Sequence, residues 1–311
     1  MQGRKVTLFA PFLLCMVLAM TSIASAGAYS NVFVYGDSLS DVGNIYAASG
    51  NTYPPSPPYY PGRFSNGKVT VEYLADALHA PLTSFAWGGA TTGFGNSGDG
   101  GTQTMVGTKG LPGMLGQVAG SLSAITPFAP TSLFVVWGGP DDYITNGTVT
   151  QGITDILDMV GELQSAGAKH ILVPGMPDLG LTPFYLAQGT MQAQLATEFS
   201  HAFDQALQHS LPKGVTYFDT FDFMREVVNH PSDFGFTHVT DPCLVGPTPC
   251  SKKIQVQNQY LFWDDLHPTT AADQLLAEQF TKAVTPEPST LLMLGTGIAG
   301  LAGVVRRKLS A

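Results

Sequence analysis

One stretch decides the fold, Val32-Phe33-Val34-Tyr35-Gly36-Asp37-Ser38-Leu39-Ser40-Asp41. Its first four residues are apolar or aromatic and a glycine bounds them, which is typical of a short strand buried on both faces of a parallel sheet. A serine just past such a strand can be exposed at a turn and become a nucleophile when a base activates it. The alternative is that Asp37, Ser38 and Ser40 cap a helix.

Similar short apolar runs recur along the chain and alternate with longer amphipathic ones. The predicted strands are Val32–Tyr35, Ser84–Ala86, Leu133–Trp137, His170–Pro174 and Val215–Asp219. The predicted helices include Val69–Leu78, Thr150–Ala166, Met191–Leu211 and Thr270–Val284. This alternation predicts an α/β fold, a mainly parallel five-stranded sheet with helices on both faces. Ligands bind beyond the carboxyl ends of such strands, close to the long loops predicted at 46–67 and 93–113.

A second candidate motif lies near the end of the sequence, in Phe262-Trp263-Asp264-Asp265-Leu266-His267-Pro268. His267 precedes a proline, which favours a position where a loop meets a helix. Asp264 is three residues earlier and could accept the second ring N–H, as in a Ser–His–Asp triad. The alternative is a surface-loop histidine.

Two further strand ends carry glycine and polar residues. The second predicted strand leads into Trp87-Gly88-Gly89, and a glycine pair lets a backbone N–H approach a ligand closely. The third leads into Gly138-Gly139-Pro140-Asp141-Asp142. Ordinary loop residues explain any one of the four clusters, but they explain all four together poorly.

Together these segments, over residues 31 to 283, resemble SGNH/GDSL-type esterases and lipases. The resemblance implies a three-layer α/β/α, flavodoxin-like fold and no cofactor. It implies that Ser38 is the nucleophile, His267 the general base and Asp264 the acid that orients it. The N–H groups of Ser38 and Gly89 would form the oxyanion hole. Two accessory segments, Tyr60–Gly67 and Met176–Pro183, also match.

One position departs from the family pattern. The third block normally reads G-x-N-D and its Asn donates to the oxyanion, whereas Asp141 stands there in this chain. An ionised carboxylate can only accept hydrogen bonds, and losing one oxyanion donor costs about 10²- to 10³-fold in rate. The sequence leaves two alternatives, a protonated Asp141 or a side chain turned away with water donating instead.

The composition excludes several classes of protein. The chain has 311 residues, of which 44% are hydrophobic and 12% charged, so it is not a largely disordered protein. Its formal charge of −9 argues against a nucleic-acid binder. Residues 27–285 hold 9 basic and 22 acidic side chains, a net charge of −13, because basic residues cluster at both ends. No cluster has the spacing of a metal site, and we expect no metal.

The N-terminal 26 residues have the pattern of a secretory signal peptide. Arg4 and Lys5 precede an apolar run over 6–20 and an Ala24-Ser25-Ala26 site. The alternative is a membrane anchor. Removal of residues 1–26 leaves Cys243 and Cys250, with six residues between them, as a candidate disulfide or as two free thiols.

Residues 285–311 resemble the PEP-CTERM sorting signal of Gram-negative, exopolysaccharide-producing bacteria. Thr285-Pro286-Glu287-Pro288-Ser289 precedes an apolar, candidate transmembrane segment at 291–305 and a basic end at 306–308. The resemblance implies transient membrane contact, cleavage by a sorting protease and delivery to the cell surface or matrix. A permanent anchor is the alternative.

The sequence thus predicts an exported, monomeric serine ester hydrolase with its catalytic domain at 27–284. Its substrate would be a lipid, a short acyl ester or an acetylated polysaccharide. The alternative, favoured by Asp141, is a catalytically silent binding or matrix protein on the same fold. Tyr53, Tyr59, Tyr60, Phe64 and Trp87 either line an acyl or sugar site or pack the loop that follows the first strand.

Overall fold

A five-stranded parallel sheet forms the centre of the computed structural model, which describes residues 29–125 and 127–285. The strands are β1 (Val32–Gly36), β2 (Leu82–Ser84), β3 (Leu133–Trp137), β4 (His170–Pro174) and β5 (Val215–Phe218). Their spatial order is β2-β1-β3-β4-β5, and every neighbouring pair is parallel. This is the flavodoxin-like order. Strand β2 is added on one side of β1, and β3, β4 and β5 are added on the other, so the strand order switches between β1 and β3. The predicted fold is confirmed.

The helices cover both faces of the sheet. They are α1 (Asn44–Ala48), α2 (Thr70–Ala77), α3 (Met114–Ile125), α4 (Pro140–Ile144), α5 (Val149–Ser165), α6 (Pro183–Ala187), α7 (Thr190–Ser210), α8 (Thr220–Asn229), α9 (Ile254–Gln257) and α10 (Thr270–Val284). Side chains from α2 and α10 pack on one face, and those from α3, α5 and α7 pack on the other.

Alternate residues of each central strand enter opposite cores. In β1, Val32 and Val34 pack in the α2–α10 layer, whereas Phe33 and Tyr35 pack in the α3–α5–α7 layer. Side chains alternate with a period of two in a strand, so a strand buried on both faces must be apolar throughout. The unbroken apolar run in the sequence is the result.

The predicted elements differ from the observed ones mainly at their ends. The second strand lies at Leu82–Ser84 and not at Ser84–Ala86. The chain nevertheless continues along β1, because Phe85 N–H donates to the Val34 carbonyl and Trp87 N–H to the Gly36 carbonyl. Among the observed helices of ten or more residues, α3 and α8 were not predicted.

Short elements after β5 complete the described chain. They are β6 (His238–Pro242), β7 (Leu244–Val245), β8 (Thr248–Pro249) and β9 (Tyr260–Phe262). β6 pairs with β9, and β7 and β8 form an antiparallel hairpin. A disulfide joins Cys243 to Cys250 at the base of this hairpin.

The predicted signal peptide at 1–26 and the segments at 291–305 and 306–308 lie outside the described residues. Over 29–125 and 127–285, no helix is long and apolar enough to span a bilayer.

Candidate active site

Ser38 lies in a turn immediately after β1. No helix begins there, because α1 starts only at Asn44. Asp41 is the residue that caps α1, since its carboxylate accepts hydrogen bonds from the N–H groups of Gly43, Asn44 and Ile45. The capping alternative for Ser38 is therefore wrong, and its hydroxyl is free to contact another side chain.

That contact is with His267, although 229 positions separate the two residues. Nε2 of His267 lies 2.8 Å from Oγ of Ser38. On the other side of the ring, Nδ1 lies 2.9 Å from Oδ2 and 3.0 Å from Oδ1 of Asp264. Backbone N–H groups of Leu266 and His267 also donate to Asp264 Oδ1, at 2.8 and 2.7 Å. The three side chains thus form a continuous hydrogen-bonded chain with Nε2 facing the serine.

The pKa values of Asp264 and His267 depend on one another. Burial alone would raise the pKa of Asp264, but the adjacent imidazole and the hydrogen bonds outweigh it and lower that pKa to about 2. Burial alone would lower the pKa of His267, but the Asp264 carboxylate more than compensates and the net effect is a raised pKa. Asp264 is therefore ionised whenever His267 receives a proton.

Two aromatic residues from the loop at 46–67 contact Asp264 and His267. The Tyr59 hydroxyl donates to Asp264 Oδ2 at 2.6 Å. The Phe64 ring stacks on the His267 ring with centroids 5.0 Å apart and an interplanar angle of 30°. Asp264 and His267 are thereby fixed in orientation by a segment far away in the sequence.

Gly89 lies in the loop that follows β2, and Asp141 lies in α4 just after β3. Both line the same cleft as Ser38. Gly89 has a φ of +84°, and a Cβ there would lie 2.6 Å from Asn96 Oδ1 and 2.8 Å from Ser97 Oγ. Only glycine combines this left-handed backbone with such close neighbours. The Ser97 hydroxyl in turn donates to Asp141 Oδ1 at 2.7 Å.

Three carboxyl groups in this part of the chain, Asp37, Asp141 and Asp142, are buried, and Asp141 also lines the cleft described below. Burial raises the pKa of all three, to about 6 for Asp141 and about 7 for Asp142. Asp37 accepts a hydrogen bond from Leu39 N–H on Oδ1, while its Oδ2 has no partner among the described residues.

A cleft of about 530 Å³ opens over these groups. Its walls include Ser38, Gly89, Asp141 and His267, so the four predicted clusters do converge. The remaining lining includes the polar side chains of Ser49, Ser97 and Lys109. Most of it is apolar or aromatic and comes from several loops and helices, among them Ile45, Tyr53, Phe64, Leu111, Ile144, Pro177, Leu179 and Leu266.

The loop aromatics separate into different roles. Tyr53 and Phe64 line the cleft, whereas Trp87 packs against the core beside α3 and Tyr60 lies beneath the Arg63 guanidinium. Sequence reasoning missed the Tyr59 contact with Asp264. It also missed Ser97, whose only sequence signal is its place in the glycine-rich loop at 93–113. In the part of the chain that the structure describes, no cluster of His, Cys, Asp or Glu is arranged to hold a metal ion.

Several known proteins are similar to this chain in sequence or in fold. The chain is 30% identical over 248 residues to the phosphatidylcholine-sterol acyltransferase of Aeromonas hydrophila, over 74% of this chain and 70% of that protein. It is 28% identical over 276 residues to the thermolabile hemolysin of Vibrio parahaemolyticus, over 82% of this chain. The match spans only 63% of the hemolysin. A solved structure of a lipolytic G-D-S-L family member from Veillonella parvula is similar with a TM-score of 0.45 and 13% identity, over 83% of this chain and 99% of that one.

Two family models match successive parts of the sequence. A PEP-CTERM protein-sorting motif matches residues 284–308, which indicates export and sorting to the cell envelope. A model described as GDSL-like Lipase/Acylhydrolase matches residues 32–280, from the strand before Ser38 to the helix after His267. The chain therefore belongs to the GDSL-like lipase/acylhydrolase family of ester hydrolases.

Proposed function

We propose that the protein is an exported serine ester hydrolase that forms an acyl-enzyme on Ser38. The observation that carries the proposal is the unbroken hydrogen-bond chain from Ser38 Oγ through His267 to Asp264 at the floor of an open cleft. A serine is a weak nucleophile until a positioned base removes its proton, and this arrangement supplies that base.

In the first half-reaction, Ser38 Oγ attacks the ester carbonyl carbon while His267 Nε2 takes the hydroxyl proton. The carbonyl π electrons move onto oxygen, and the N–H groups of Ser38 and Gly89 stabilise the oxyanion. The intermediate then collapses, the bond to the alcohol oxygen breaks, and His267 returns its proton to that oxygen. Asp264 stays ionised and stabilises the imidazolium throughout.

In the second half-reaction, water replaces the alcohol. His267 takes a proton from that water as its oxygen attacks the acyl carbon, and a second oxyanion forms. Collapse breaks the bond to Ser38 Oγ, which recovers a proton from His267. The products are a free acid and an alcohol, and no cofactor takes part.

We propose acyl esters of lipids as the substrate class. The apolar walls contributed by Ile45, Leu111, Ile144 and Leu179 match an acyl chain better than a sugar. The names of the Vibrio and Aeromonas relatives, a hemolysin and a phosphatidylcholine-sterol acyltransferase, also favour lipid esters. Acetylated polysaccharide is the second candidate, favoured by the sorting motif that directs the chain to the cell envelope.

We further propose that residues 1–26 are removed on export, that the catalytic domain spans 27–284, and that it acts as a monomer. The sorting segment 285–311 would contact the membrane transiently and be cleaved by a sorting protease, leaving the enzyme at the surface or in the matrix of a Gram-negative cell. Comparing the mass and location of the chain with and without residues 285–311 in such a host tests this assignment.

Labelling with a fluorophosphonate probe tests the catalytic proposal directly. We expect wild-type protein to be labelled once, at Ser38, and Ser38→Ala to be unlabelled while it keeps its fold. A panel of p-nitrophenyl esters of increasing chain length, together with acetyl release from exopolysaccharide, then separates the two substrate classes. Wild-type protein that is neither labelled nor active on any of these would support the silent-protein alternative.

A further inference from the structure

The position of Asp141 raises a question that the triad alone does not answer. The Asp141 side chain comes from the first turn of α4 and lines the cleft beside Gly89 and Ser38. A hydrogen-bond donor is needed on this side of Ser38, because negative charge develops there on the substrate oxygen. A carboxylate cannot donate, whereas a neutral carboxylic acid can.

The two oxygens of Asp141 have different surroundings. Oδ1 accepts the Ser97 hydroxyl at 2.7 Å, which fixes the orientation of the carboxyl group. Oδ2 makes no hydrogen bond to any described residue, yet it is not among the fully enclosed unpartnered atoms. Because Asp141 lines the cleft, Oδ2 is the oxygen left to meet a substrate.

Burial disfavours the ionised form of Asp141, whereas the Ser97 hydrogen bond and the charge of His267 favour it, and the net effect is a raised pKa. Five titratable groups face Asp141 from different elements. They are Asp37 in the turn after β1, Asp142 in α4 itself, His267 in the triad loop, Tyr53 in the loop at 46–67 and Tyr185 in α6. Lys109 contributes to the same cleft wall. Among the described residues, however, no lysine or arginine forms an ion pair with Asp37, Asp141 or Asp142. Ionising Asp141 therefore buries a charge beside two other acids, and the cation that offsets it, His267, is neutral in the form that accepts the Ser38 proton.

We propose that Asp141 is a catalytic residue that donates from its neutral carboxylic acid to the oxyanion, in place of an amide donor. The carboxyl proton sits on Oδ2 and points to the substrate oxygen, while Ser97 holds Oδ1. No proton is transferred in this contact. Burial raises the pKa of Asp141 to about 6, which keeps a neutral fraction available near that pH. This inference rests on the proposed hydrolase function.

The proposal requires a particular protonation state of two groups at once. His267 must be neutral to accept the Ser38 proton, and Asp141 must be protonated to donate. Activity then falls at low pH as His267 is protonated and falls at high pH as Asp141 ionises. Because the pKa of His267 is raised above 6.5 and that of Asp141 is about 6, this active form is a minor species, and the expected kcat/KM profile is a bell whose alkaline side exists only while Asp141 can ionise.

The decisive experiment compares these profiles for wild type and Asp141→Asn, with p-nitrophenyl acetate between pH 4 and pH 9. We expect wild type to lose about tenfold in kcat/KM per pH unit above the raised His267 pKa, where both groups are deprotonated, until the loss of one donor, about 10²- to 10³-fold, is complete. Asn donates at every pH, so Asp141→Asn should lack the alkaline limb and exceed wild type at pH 8 by more than tenfold. Asp204→Asn, another buried carboxyl outside the cleft, is the matched control and should keep the wild-type limb.

Ser97→Ala gives a second test that retains Asp141. The Ser97 hydrogen bond favours the ionised carboxyl and lowers its pKa, so its removal should move the alkaline limb to higher pH. A wild-type profile that stays flat to pH 9 would overturn the proposal, as would a limb that persists in Asp141→Asn. In either case Ser38-dependent fluorophosphonate labelling still reports the hydrolase function. If that labelling is absent from every variant, the proposed function itself is wrong.

Discussion

The Tyr59 hydroxyl donates a 2.6 Å hydrogen bond to Oδ2 of Asp264, from a position 205 residues earlier in the chain. The Tyr59 ring packs edge-on against Trp263, with ring centroids 6.4 Å apart. The same loop places Phe64 on the face of His267. The loop at 46–67 thus contacts both Asp264 and His267 and holds their side chains in place. Ser38 is positioned separately, by the turn that follows β1.

Replacing Tyr59 by Phe tests this positioning role. The substitution removes one hydrogen bond to a charged group and leaves the ring in place, so we expect a loss of about 1.5 to 3 kcal/mol in the free energy of unfolding. We expect kcat to fall with KM unchanged, and by much less than the roughly 10⁴-fold expected for Asp264→Asn. Steady-state kinetics and urea denaturation measure both effects. A purely structural role would lower stability and leave kcat unchanged.

Gly89→Ala tests the oxyanion position. A methyl group there meets Asn96 Oδ1 and Ser97 Oγ at less than 3 Å on a left-handed backbone, so the loop must shift. We expect kcat to fall about 10²-fold or more, as for loss of one oxyanion donor. Gly214→Ala is the matched control, with a φ of +91° and no atom within 4 Å. It should lose about 1 to 2 kcal/mol of stability and keep its kcat. Equal kcat values for both variants would contradict this assignment.

The Cys243–Cys250 disulfide closes a small loop beside the segment that carries Asp264. Leu244 N–H donates to the Trp263 carbonyl, so the hairpin is tied to the residue preceding Asp264. Constraint of the unfolded chain by a loop of this size is worth about 2 to 3 kcal/mol. We therefore expect Cys243→Ala/Cys250→Ala to lose that amount in urea denaturation. Thiol reductant should destabilise wild type similarly and leave the double variant unchanged; an effect on both would show that reduction acts elsewhere.

Asp273 links the stability of the fold to pH. Burial raises its pKa to about 7, and its carboxyl group accepts hydrogen bonds from Thr70 N–H, the Thr70 hydroxyl and the Ser65 hydroxyl. As pH rises from 3.8 toward 7, Asp273 therefore keeps its proton in the folded state but loses it in the unfolded state, where its pKa is the ordinary 3.8. Stability is full below that pH and declines as pH rises toward 7.

We expect Asp273→Asn to flatten that decline, by up to about 1.4 kcal/mol per pH unit. Thermal unfolding between pH 4 and pH 8 measures the slope for each variant. Asp233→Asn at an exposed position should retain the wild-type slope. A slope in Asp273→Asn as steep as in wild type would mean that other buried carboxyl groups carry the whole effect.

The sequence by itself determined the parallel sheet and the local geometry of the candidate site. Apolar runs such as Val32–Tyr35 predict doubly buried strands, because side-chain alternation is a property of neighbouring residues. The Asp264–His267 pair could be predicted for the same reason, since the partners are only three positions apart in the sequence. Element ends were less accurate, as at β2, because pairing continues beyond the assigned strand.

Only the tertiary structure decided which distant groups meet. The hydrogen bonds of Ser38 with His267, Tyr59 with Asp264 and Ser97 with Asp141 join loops whose conformations depend on contacts made far away in the chain. The raised pKa of Asp141 is likewise a property of its surroundings. Burial and neighbouring charges set the free energy of its ionised form, and neither can be read from the identity of the residue.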